Sequence, residues 1–137
     1  MVADLNIEKL TKEQANELGS ITLAFIGDAV YSLYIRAKNS IGSTKKSGEL
    51  NKATSKKVCA VHQAMLIERI LPFLTEDEID VYRRARNHKK PSKSKSSTVS
   101  QYNKSTGFEA VIGFLYLTGN TERLQFVLNF EDNDDEN

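Results

Sequence analysis

Two carboxylates stand in apolar company. In Leu23 to Ile35, LAFIGDAVYSLYI, Asp28 follows Gly27 inside an apolar run. In Thr106 to Gly119, TGFEAVIGFLYLTG, Glu109 sits in a second such run, four residues before Gly113. Burying an ionised carboxylate costs several kcal/mol unless it is paired. An interior glycine costs a helix about 1 kcal/mol relative to alanine. Helices selected for stability alone would carry neither. The small residues Gly27, Ala29, Ala110 and Gly113 would let two such helices approach closely and bring Asp28 and Glu109 together. Two carboxylates in a dry site repel each other unless a cation lies between them. Oxygen ligands without nearby His or Cys favour Mg²⁺, with Mn²⁺ as the alternative.

The elements that hold this pair must be helices. At about 100° per residue, Leu23, Ile26, Val30, Leu33 and Tyr34 form one stripe. Asp28 falls almost opposite, among Ala24, Tyr31 and Ile35. In the second run Phe108, Val111, Ile112, Leu115 and Tyr116 form a stripe, and Phe114 and Leu117 cover the other side. Both helices are apolar nearly all round, as expected of central, buried helices. Structural roles for the acids compete with a metal site. Thr106 and Glu109 have capping-box spacing, and Asp28 could pair with a cation such as Arg86.

Elsewhere helical signals recur and strand signals are scarce. Thr11 and Gln14 have capping-box spacing and open a first short helix. The helix with Asp28 runs from about residue 21 to 38, and 39–47 is a turn-rich loop. A third helix is expected from about Gly48 to Leu71, stopped by Pro72. Thr75 and Glu78 cap a fourth, running to about Asn87. Residues 88–99, HKKPSKSKSSTV, read as a mobile basic loop. The Glu109 helix begins near Ser100 or Thr106, and a last helix covers about 121 to 129. The expectation is one all-α domain over residues 1–130 and an acidic, disordered tail over 131–137.

The chain has 137 residues, with 19 Lys and Arg against 18 Asp and Glu. That balance hides a segregation. Between Asp80 and Glu109 there is no acid, while Arg83, Arg84, Arg86, Lys89, Lys90, Lys93, Lys95 and Lys104 are present. Lys45, Lys46, Lys52, Lys56 and Lys57 form a second basic group. Such patches suit a polyanion such as RNA. No apolar run is long enough to span a bilayer, and no signal-peptide pattern opens the chain. The single Cys59 excludes an internal disulfide and zinc of the CxxC type. An intracellular, cytoplasmic protein with no membrane partner is expected.

LAFIGDAVYSLYI resembles the signature of the ribonuclease III family, SGELNKATSKKVCA its following basic helix, and GFEAVIGFLYLTG its second acidic motif. The three occur in family order and span nearly the whole chain. RRARNHKK, SQYNKSTGFEA and the expected absence of a double-stranded RNA-binding domain are similar to the mini ribonuclease III subfamily. The resemblance implies the family's endonuclease-domain helical bundle, a homodimer, and Mg²⁺-dependent cleavage of double-stranded RNA to 5′-phosphate and 3′-hydroxyl ends. The implied substrate is precursor 23S ribosomal RNA. Asp28 and Glu109 match two of the family's metal-binding acids, while Ala24 and Thr106 stand where two others would be. Phe25 matches a position beside the dimer interface. A non-catalytic helical module binding structured RNA, and a protein-interaction bundle, are the competing readings.

Overall fold

Local sequence starts three of the helices. Three Thr residues act as N-caps, accepting from the backbone N–H three residues on, while Gln14, Glu78 and Gln101 reach back to the cap. The structure, a computed structural model, describes residues 5–88 and 97–135. Its order is α1 (Lys12–Glu17), α2 (Ser20–Ser40), α3 (Ser47–Val58), α4 (Ala60–Ile70), a 3₁₀ turn (Leu71–Phe73), α5 (Glu76–Asn87), α6 (Val99–Leu117) and α7 (Thr121–Asp135). The fold is all-α, and the described residues contain no strand.

Helix α6 is the axle. It packs against α2, α5, α4, α7 and α1, and Phe108, Val111, Ile112 and Leu115 are fully enclosed. Tyr31 of α2 meets Phe108 edge to face, with ring centroids 5.1 Å apart. At the other end, Phe73, Phe126 and Phe130 form an aromatic cluster that seats α7.

Three expectations change. The single helix from 48 to 71 is two helices, because Cys59 is extended (φ −72°, ψ 155°) and serves as the C-cap of α3 and N-cap of α4. The start of the Glu109 helix narrows from two places, Ser100 and Thr106, to the first: it begins at Val99, on the Thr98–Gln101 capping box. The last helix, expected to end near Asn129, continues through Asp135. Glu131 and Asp132 lie against α4, α3 and α2: Glu131 pairs with Lys57 and His62, and Asp132 with Lys38. These long-range partners outweigh the poor helix propensity of the acidic run.

Candidate active site

The pair is assembled at a backbone crossing. A Cβ placed on Gly27 would lie 1.7 Å from the Glu109 carbonyl oxygen, and one on Gly113 would lie 1.9 Å from that of Leu23. No side chain fits in either place, so α2 and α6 touch through their main chains. This brings Asp28 and Glu109 within hydrogen-bonding reach of each other. Burial, then the hydrogen bond and charge of Asp28, push the Glu109 carboxyl up to about 9, and the Gln63 side chain opposes that rise. At neutral pH, in the absence of a cation, the Glu109 carboxyl therefore carries a proton.

Both structural alternatives fail. Thr106 lies inside α6, where its hydroxyl donates to the Tyr102 carbonyl at 3.0 Å, so Glu109 is no capping residue. Arg86 stacks over the Tyr82 ring, 5.4 Å from the centroid, and its Nε donates to Asn87. Asp28 itself departs from expectation, since it is exposed rather than buried. The reason is that one flank of α2 has no covering element among the described residues. Phe25 (76% exposed), Ala29 and Leu33 (62%) follow Ile21 along that flank at helical spacing. The expectation of a central helix thus holds for α6 and fails for α2.

Ala24 and Thr106 are buried and add no charged oxygen. Among the described residues no group of three or more His, Cys, Asp or Glu side chains converges. The donor set is two carboxylates, with the Gln63 amide beside Glu109. Gln63 is the residue that sequence reasoning missed. The signal was present: Gln63, Leu66, Ile67 and Ile70 have the spacing of a buried helical stripe, and only one member is polar.

The basic residues separate into two sets. Lys45 and Lys46, before and at the start of α3, and Lys52 and Lys56 on it, are exposed, as is Arg83 on α5. Others have protein partners: Lys57 pairs with Glu131, Lys104 with Glu68, and Arg84 with Asp80 at 3.0 Å and Asn16 at 2.8 Å. Arg86 and Lys104 line a cleft with Asn87, Val99, Ser100 and Asn103. Lys89, Lys90, Lys93 and Lys95 lie outside the described residues.

The ribonuclease III domain family matches residues 21–120, which takes in α2 but for its first residue, α6 and everything between them. The chain belongs to the ribonuclease III family. Within it, the chain is 47% identical over 123 residues to the mini-ribonuclease 3 of Thermoanaerobacter sp. (strain X514), covering 90% of this chain and 87% of that one. The mini-ribonuclease 3 of Streptococcus pneumoniae (strain R6) is 43% identical, with 84% and 91% covered. A crystal structure of a Fusobacterium nucleatum protein superposes with a TM-score of 0.80 at 30% identity, covering 88% of this chain and 96% of that one. These similarities place the chain in the mini-ribonuclease III subfamily. It is an endoribonuclease, a hydrolase, of a family that acts on double-stranded RNA. No described helix is long and apolar enough to cross a membrane.

Proposed function

We propose that this chain cleaves double-stranded RNA, with Asp28 and Glu109 holding Mg²⁺ at the α2–α6 crossing. The observation that carries the reading is the meeting of these two carboxylates where both main chains leave room only for glycine. The donor set fits a small hard cation, because it is all oxygen and leaves most coordination positions to water and substrate. When bound, the cation supplies an acidified water and offsets charge building on the scissile phosphate.

The chain's own groups do the rest. Glu109, half-buried, gives up its proton as the site charges and anchors the inner side. Asp28, exposed, presents its carboxylate to the surface that RNA approaches. The products are a 5′-phosphate and a 3′-hydroxyl. Lys45, Lys46, Lys52, Lys56 and Arg83 contact phosphates of an A-form duplex, which is read mostly through its backbone and 2′-hydroxyls. Arg86 and Lys104 extend that surface beside the α5–α6 cleft, and Lys89, Lys90, Lys93 and Lys95 add positive charge for the same phosphate backbone. A second copy of the chain covers the Phe25 and Leu33 flank of α2, and two sites across the two-fold cut one strand each. The substrate in the cell is precursor 23S ribosomal RNA, and the compartment is the cytoplasm.

The test is cleavage of a double-stranded RNA in Mg²⁺ by wild type and by folded Asp28→Asn. The variant should lose at least ~100-fold in rate, since a metal contributes several kcal/mol of transition-state stabilisation. Wild-type cleavage by Asp28→Asn would remove the assignment.

A further inference from the structure

Helix α4 packs on α6 through residues at helical period: Gln63, Leu66, Ile67 and Ile70 are all buried. Three are aliphatic and one is an amide. Gln63 is only 1% exposed, and its Nε2 makes no hydrogen bond of good geometry. A buried donor left unmade costs about 1–3 kcal/mol. Methionine or leucine would complete the stripe without that cost, so packing does not account for the amide.

Its neighbour does. The Gln63 side chain lies within reach of the Glu109 carboxyl, the inner member of the acidic pair. The extended residue Cys59 ends α3 and lets α4 set off afresh at Ala60, which places Gln63 in the first turns of α4, against α6. No third acid, His or Cys joins Asp28 and Glu109 among the described residues. Besides Asp28, the side chain that acts on the Glu109 carboxyl is Gln63, a neutral donor with a hydrogen to spare.

We propose that Gln63 is a positioning residue of this site: its buried amide, unpartnered in the metal-free chain, donates to the Glu109 carboxylate once a cation charges the site and holds it facing Asp28. The proposal rests on the reading of Asp28 and Glu109 as the metal-holding pair. Glu109 turns on a flexible side chain, and a carboxylate free to rotate must be ordered each time a cation binds. An amide fixed in the core removes that step. Losing a group that orients a ligand costs about 10- to 100-fold in metal affinity or activity.

The experiment replaces the amide by a chain of similar length, Gln63→Met. The thermal midpoint in EDTA should equal or exceed that of wild type, because an unmade donor has been removed. The Mg²⁺ concentration giving half of the metal-induced rise in that midpoint, measured without RNA, should increase by about tenfold or more. On a double-stranded RNA, kcat should fall about 10- to 100-fold while KM moves less than about twofold. Gln63→Leu is the second variant, and its rates decide if methionine is not accommodated. Wild-type kcat and a wild-type Mg²⁺ midpoint in a folded variant overturn the proposal. So does a drop in the metal-free midpoint of both variants, which would make the amide a structural group. Asp28→Asn is run alongside. If it abolishes cleavage and Gln63→Met does not, only this inference fails; if Asp28→Asn cuts normally, the reading of the pair fails.

Discussion

Glu109 on α6 and Glu131 on α7 are both half-buried, yet their carboxyls move in opposite directions. Burial and Asp28 push Glu109 up to about 9. Burial acts on Glu131 in the same sense, but Lys57 and His62 hold it below the ordinary carboxylate range. Glu78 shows the structural pattern at its fullest: 1% exposed, it accepts from Arg123 at 2.7 Å and 2.9 Å while completing the Thr75 cap. Where a carboxylate serves the fold, this chain supplies a base. Where two carboxylates face each other, the fold bears a cost that only a ligand relieves.

The sharpest way to break the comparison is at the crossing itself. Gly27→Ala and Gly113→Ala each drive a methyl into main chain. Neither backbone yields as a flexible side chain would, so each substitution should cost several kcal/mol, above about 4. Urea denaturation of the metal-free protein reads this directly. A cost below about 1 kcal/mol would mean that the helices are not held in backbone contact.

A smaller effect separates the two glutamates by sign. In EDTA, Glu109→Gln should raise stability at neutral pH, since each pKa unit of upward shift is worth about 1.4 kcal/mol. With the folded value near 9 and the unfolded one near 4.5, wild-type stability is full below about 4.5 and falls as pH rises towards about 9. The gain from the substitution should therefore grow across that window in denaturation curves at stepped pH. A stability loss at pH 7 would place Glu109 among the structural acids.

Glu131→Gln should do the reverse and least. Its lowered carboxyl contributes stability that is present above the ordinary carboxylate range and lost as pH falls through its folded value. Lys57 is partly exposed, so solvent and salt reduce the pair to below about 1 kcal/mol. The difference should shrink below about pH 4 and in high salt, measured by thermal midpoint. A gain in stability would erase the contrast with Glu109.

How much was legible follows from how local each signal is. The Thr11 and Thr75 caps form as their spacing implies, because a capping box closes within one turn. The Thr98 box is equally local, and it decides for the start near Ser100 over the one at Thr106. The break at Cys59 has neither glycine nor proline to announce it. The helix of α7 past Asn129 depends on Lys57, His62 and Lys38, far away in the chain. A helical projection tells which residues share a face, and it is silent on whether anything covers that face. For this reason Asp28 and Leu33 read as buried, while among the described residues nothing covers them.

The sequence by itself determined the all-helical class, the two carboxylates and the glycines between which they meet, since composition, period and costly residues are visible in one dimension. Tertiary structure decided the rest. It set α6, and not α2, at the centre, gave Glu109 an acid and Glu131 a base, and turned Gln63 inward against the inner carboxyl. Those outcomes depend on which helices pack together and at what angle, and no single helix contains that information.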